Sequence, residues 1–208
     1  MWTRIVRSLG VLVALALIAG SAFAASSGWT QYTFAAAPPS KVVAPGTMTV
    51  RFPAGWVVST TWPTPLVRNG TPHAYPLSSK DGDWWADVSL EAKGTTMSDV
   101  RSRMLRWAGT PMWGEGTPMR AYVGDSYLTL PMGRVWRLTL ALVPVKGETG
   151  FGVHYERDYV LDRGVVVTRA QGAQRHLFNM FTVICSAEFC KTHNGQLAAI
   201  MRSIRITP

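Results

Sequence analysis

Two cysteines and four histidines are the residues with the widest chemical reach in this chain, and their spacing narrows what they can do. Cys185 and Cys190 are the only thiols. With four residues between them, in a chain whose N-terminus reads as an export signal, they are expected to close a disulfide, the default in an oxidising compartment. Zinc is the alternative, because His176 and His193 could add nitrogen ligands to the two sulfurs. The spacing C-x4-C-x2-H matches no common zinc module, so neither metal nor cofactor is expected.

Nucleophilic catalysis finds equally little support. Gly124-Asp125-Ser126 has the form of a lipase and esterase nucleophile block, yet the downstream Asp-x-x-His such a serine needs is missing, and so is a G-x-S-x-G elbow. A turn entering the strand at Tyr127 accounts for it. His73 has no acid or nucleophile at a suggestive spacing. His154 and Glu156 share one side of a strand as H-x-E, which is expected to be an exposed strand face. With no phosphate-binding glycine loop and no aromatic-basic nucleic-acid motif either, the chain is expected to be neither an enzyme nor a nucleic-acid binder.

The tryptophans carry more promise. There are nine, and Trp84-Trp85 sit side by side where alternation reads as a strand, so one of the two must face away from the core. Trp62 and Trp113 fall in loops. Exposed tryptophan edges serve as hot spots for a protein partner or as platforms for sugar rings, which makes Trp62, Trp84, Trp85 and Trp113 the candidate binding surface.

Arg4 and Arg7 precede an almost wholly apolar run from Leu9 to Ile18, and Ala22-Phe23-Ala24 then forms an A-x-A site. This is a signal peptide over residues 1–24, with cleavage expected between Ala24 and Ala25. No cysteine lies near the cut, so neither a lipid anchor nor a stable membrane anchor is expected after cleavage. The protein is expected to be secreted or periplasmic. The balance of 21 basic to 12 acidic residues favours acidic partners such as an anionic wall polymer. The basic residues, however, are scattered from Lys41 to Arg205 without a cluster of four, as on an ordinary solvated surface.

The elements that must position these residues follow from hydrophobic periodicity. Residues 25–41 mix small residues with Pro38-Pro39 and read as a flexible linker in which Trp29, Tyr32 and Phe34 could dock as an extended lead-in. A single domain is expected over 42–208. Met48, Val50 and Phe52 alternate with Thr49 and Arg51 in its first core strand, which Pro53-Ala54-Gly55 ends. Residues 62–83, with four prolines, read as a long loop or irregular hairpin, and Trp84 to Ala92 as a strand. Thr96 or Ser98 caps a helix carrying Val100, Met104, Trp107 and Ala108, with Asp99 placed to pair with Arg103. Three or four strands follow, with turns at Pro131-Met132-Gly133, Lys146-Gly147 and Asp162-Arg163-Gly164, so an antiparallel meander is predicted. Arg175 to Ile184 is open between helix and strand. Thr192 is expected to cap a last helix with Leu197, Ile200, Met201 and Ile204 on one face. An antiparallel sheet flanked by helices gives an α+β domain.

This order of elements resembles the PsbP-like family. The likeness lies in the strand ending Phe52-Pro53-Ala54-Gly55-Trp56, the helix after the second long strand, Leu130-Pro131-Met132-Gly133-Arg134 in the meander, Tyr159-Val160-Leu161, and a last helix ending Ser203-Ile204-Arg205. It spans Val42 to Thr207. The resemblance implies an αβα sandwich and a protein that binds other proteins, here an envelope or secreted partner, rather than one that catalyses a reaction. No functional motif of the family has a counterpart here, so no partner residue is carried over.

Overall fold

The computed structural model describes residues 28–38, 40–60, 72–77, 81–112, 117–145 and 152–208. In chain order these form β1 (Trp29–Ala35), β2 (Thr47–Pro53), β3 (Trp56–Ser59), β4 (His73–Pro76), β5 (Gly82–Ala92), α1 (Met97–Leu105), β6 (Met119–Leu130) and β7 (Gly133–Val143). Then come β8 (His154–Val167), β9 (Gln174–Ser186), α2 (Ala187–Thr192), α3 (Asn194–Ser203) and β10 (Arg205–Thr207). Every strand pairing is antiparallel, in a small sheet ordered β1-β2-β10 and a seven-stranded sheet ordered β3-β4-β5-β9-β8-β7-β6.

The alternation in β2 does what the sequence requires of it. Met48, Val50 and Phe52 are buried, while Thr49 and Arg51 turn outward. The turn at Ala54-Gly55 then passes the chain from the small sheet into the large one. Met48, Val50 and Phe52 join Trp84, Phe181 and Val183 of the large sheet and Leu197, Ile200 and Met201 of α3 in the main core. A second core on the other face of the large sheet holds Val100 and Met104 of α1 against Trp136, Leu138, Leu140, Val160 and Phe178. The large sheet therefore lies between α1 on one side and a layer of α2, α3 and the small sheet on the other. This is the expected α+β arrangement, an antiparallel sheet with helices on both faces. Phe189 of α2 packs directly on the start of β5, where a Cβ on Gly82 would come 2.6 Å from its ring, so only glycine fits there.

Several expectations are corrected. The stretch read as a flexible linker supplies β1, whose Trp29, Tyr32 and Phe34 pack against the main core and which pairs with β2 from end to end. The ordered domain thus begins before Val42. Gln31 and Thr33 face outward opposite Arg51 and Thr49, while Tyr32 and Phe34 face the core opposite Val50 and Met48, an alternation that the neighbouring small residues and Pro38-Pro39 obscured. Asp162-Arg163-Gly164 is a bulge inside β8, not a turn between two strands. Gly164 takes φ +75°, its N–H donates to Asp162 Oδ1 at 2.8 Å, and pairing with β9 resumes at Val165. Gly124-Asp125-Ser126 likewise lies within β6 beside a register shift at Tyr122/Gly124, rather than in a turn.

The ambiguous Arg175 to Ile184 segment is strand, the core of β9. Part of the expected 62–83 loop forms β4 and the first residues of β5, while 61–71 and 78–80 lie outside the described residues. At α1, Thr96 and Asp99 form a reciprocal capping box. Asp99 is occupied there, and Arg103 instead makes a two-point bridge to Glu91 on β5, at 2.8 and 3.0 Å. Trp107 and Ala108 belong to the turn after α1. Ser186 caps α2, and Thr192 ends that helix with its hydroxyl bonded back to Glu188 O at 2.9 Å. α3 then starts without a side-chain cap.

Candidate functional site

β6 is the edge of the large sheet. Backbone bonds from the preceding turn cover its first two residues, with Arg120 N–H donating to Thr110 O at 3.0 Å and Gly109 N–H to Arg120 O at 2.6 Å. Among the described residues, the rest of its outer edge meets no other strand. Its side chains are wet as well: Tyr122, Val123 and Tyr127 are 52%, 54% and 41% exposed.

These exposed rings are held from behind. Asp125, set between Tyr122 and Tyr127 by the bulge, accepts hydrogen bonds from Trp136 Nε1 at 2.7 Å, Tyr122 OH at 2.7 Å and Arg101 Nη2 at 2.9 Å. The first two of those bonds, followed by Arg101, hold its carboxyl below the ordinary carboxylate range despite partial desolvation. Arg101 lies 5.5 Å from the ring centres of both Tyr127 and buried Trp136, and Arg134 lies 4.3 Å from that of Tyr127. The result is a fixed stack of arginine and tyrosine presented at an open sheet edge.

Further along the same face of the sheet lies a polar floor. Glu156 and Asp158 on β8 are 3% and 1% exposed, so the H-x-E pair is not an exposed strand face. Arg120 reaches over from β6 to Glu156 at 2.8 Å and also donates to the carbonyls of Pro111 and Met112 at 3.3 Å. Asp158 accepts the Thr182 hydroxyl at 2.7 Å, and its Oδ2 has no hydrogen-bond partner among the described residues. Burial, reinforced by the neighbouring Glu156 carboxylate, pushes its carboxyl up to about 8. On β5, burial pushes Asp83 to about 7. Strand register places Trp85 beside Thr182, and Thr182 beside Asp158.

Of the sequence-predicted surface, Trp84 is corrected outright. It is fully buried, its ring 5.0 Å edge-on from Phe52 and 6.4 Å from Phe181. Trp85 faces the polar floor, half-buried, with His73 opposite it on β4. Trp62, Trp113 and the Ala24 and Ala25 cleavage site lie outside the described residues. The edge stack was missed in the sequence because Arg101, Asp125 and Trp136 come from three elements, with no local spacing to announce them.

Cys185 and Cys190 are joined in a disulfide between the end of β9 and α2, both sulfurs buried. His176 cannot join them around a metal, since nine residues of extended strand separate it from Cys185, roughly 30 Å. It bonds Asp162 at 2.6 Å and stacks on Phe178, while His193 stacks on Phe189 at 4.0 Å. Register sets His154 opposite Ser186 and His73 in line with Thr182, both six or more residues along β9 from His176, and no group of three metal-ligating side chains occurs among the described residues. Replacing both cysteines by alanine is expected to lower stability by about 2 kcal/mol, the loop-entropy value for so short a bridge. Urea unfolding measures this, and reductant should shift the wild type by the same amount while leaving the double variant unmoved.

No family model and no curated sequence matches the chain. Solved structures do. The solution structure of cyanobacterial PsbP (CyanoP) from Synechocystis sp. PCC 6803 aligns with a TM-score of 0.57 at 13% identity, covering 87% of this chain and 94% of that one. LpqN of Mycobacterium tuberculosis, described as involved in cell envelope biogenesis, aligns with a TM-score of 0.51 at 14% identity, covering 86% and 92%.

Proposed function

From the PsbP-like fold we infer an exported, non-catalytic interaction module of the cell envelope that works through protein contacts. The observation that carries this reading is the Arg101-Tyr127-Arg134 stack on the open edge of β6. Tyrosine, tryptophan and arginine are the residues that dominate binding hot spots, and here they are immobilised before any partner arrives, which lowers the entropy lost on docking. An unpaired strand edge flanked by guanidinium groups suits an extended, carboxylate-bearing segment of another protein. Export is supported by the signal-like N-terminus, and an envelope role by what LpqN is described as doing. The separation of the histidines weighs against an acid-base centre. A sugar platform at Trp85 is less favoured because that ring is half-buried beside Thr182 rather than fully presented to solvent.

Photo-cross-linking in the exporting cell tests the proposal, with the probe placed at Tyr122 or, on a different surface, at Leu77. A discrete protein adduct is expected from position 122 alone. Arg134→Glu should abolish it without changing the melting temperature, whereas Trp85→Ala should leave it intact. Equal adducts from both positions, or indifference to Arg134→Glu, would overturn the reading.

A further inference from the structure

The distribution of charge has a second feature, carried by the acids rather than the bases. All 12 acidic residues fall between Asp81 and Glu188. The chain before and after that interval contains Lys and Arg but neither Asp nor Glu, and the fold brings those two ends together. β1, β2, α3 and β10 pack as one layer through β1-β2-β10 pairing and the bond from Arg51 N–H to Ser203 Oγ at 2.9 Å. That layer carries positive charge without a carboxylate to neutralise it.

Its charges meet at one place. A shallow depression of about 390 Å³ on the outer side of the small sheet is lined by Gln31, Thr49, Arg51, Arg202, Ser203 and Arg205. All three arginines are exposed. Register sets Arg205 opposite Thr49 and Gln31 opposite Arg51, so Arg51 and Arg205 stand on neighbouring strands with amide and hydroxyl groups between them, and Arg202 joins them from the last turn of α3. Arg205 is anchored through Nη1, which donates to Arg202 O at 2.8 Å and Ile204 O at 3.0 Å, the carbonyls that end α3. Among the described residues no ion pair engages any of the three. Forked donors around a hydroxyl-lined dip match the oxygens of a phosphate ester.

We propose that this depression is a binding site for a phosphate group, on a surface separate from the β6 edge and independent of the function proposed for it. The phosphate could belong to a lipid headgroup or to a soluble ester, and the experiment separates the two. Protein purified in its exported form is titrated with phosphatidylglycerol vesicles, with phosphatidylcholine vesicles as the neutral control, and separately with inorganic pyrophosphate by calorimetry. Arg51→Gln and Arg202→Gln are each expected to weaken binding about fivefold, as removing one basic residue near an anionic surface does. Arg106→Gln, which removes the same charge from an exposed position at the C-terminal cap of α1, should leave it unchanged. Vesicle binding that pyrophosphate fails to displace assigns a lipid headgroup, and displacement assigns a soluble ester. Binding to neither probe, or equal weakening by Arg106→Gln, would overturn the site and leave only the effect of net charge.

Discussion

Trp84→Ala is expected to destabilise the protein by about 4 kcal/mol, within the usual range for removing a buried indole from a core. Trp84 is 0% exposed and stands where the layers meet, against Phe52 of the small sheet and Phe181 of the large one. Alanine would leave a cavity spanning both sheets, and neither sheet can collapse into it without breaking its own ladder. Urea unfolding should show the loss as a lower midpoint. Trp85→Ala, one residue along, should lose less than half as much because that side chain is half-buried on the opposite face. Equal losses would mean that the main core does not depend on Trp84. Trp84→Phe refines the test. The indole Nε1 has no hydrogen-bond partner among the described residues, so phenylalanine removes an unsatisfied buried donor along with some volume, and its loss should be near 1 kcal/mol.

That contrast between neighbours was legible in the sequence, since two tryptophans in a strand with period two must part company. So were the alternation of β2, the capped start of α1, the disulfide and the helical stripe of Leu197, Ile200 and Met201. These signals are local, written in residues one to eight apart. What escaped was written across the chain. The acid group of Asp162-Arg163-Gly164 suits a turn and a bulge equally well, and the partner strand decides between them. β1 looked like a linker because small residues and Pro38-Pro39 surround it, and only its pairing with β2 makes it a strand. The Asp125 cluster draws on residues 101, 122, 125 and 136, and the salt bridge of Arg120 joins positions 36 apart. The acid-free ends are plain in the sequence, where every Asp and Glu lies between Asp81 and Glu188. Only the fold, however, shows that the two ends form one layer.

Arg120→Ala is expected to be the most damaging change to a charged residue, with a loss of roughly 3–5 kcal/mol at pH 8, because it strands a buried carboxylate. Glu156 keeps no other described cation partner, and Asp158 sits on the same face two residues on. Arg120→Met combined with Glu156→Leu should recover most of the loss, since a paired charge and an apolar pair of similar volume are close in stability once desolvation is counted. A double variant as unstable as the single one would show that Arg120 acts chiefly through the Pro111 and Met112 carbonyls. The wild type should also respond to pH through Asp158 and Asp83, whose folded carboxyls are pushed to about 8 and about 7. Between pH 4 and 8 the folded state binds more protons than the unfolded state, so stability falls as pH rises through this window. Asp158→Asn keeps a neutral acceptor for Thr182 and should flatten most of that decline, leaving the part due to Asp83. Urea midpoints at pH 5, 7 and 9 decide the matter, and an unchanged slope in Asp158→Asn would mean that Asp158 is already ionised in the folded protein.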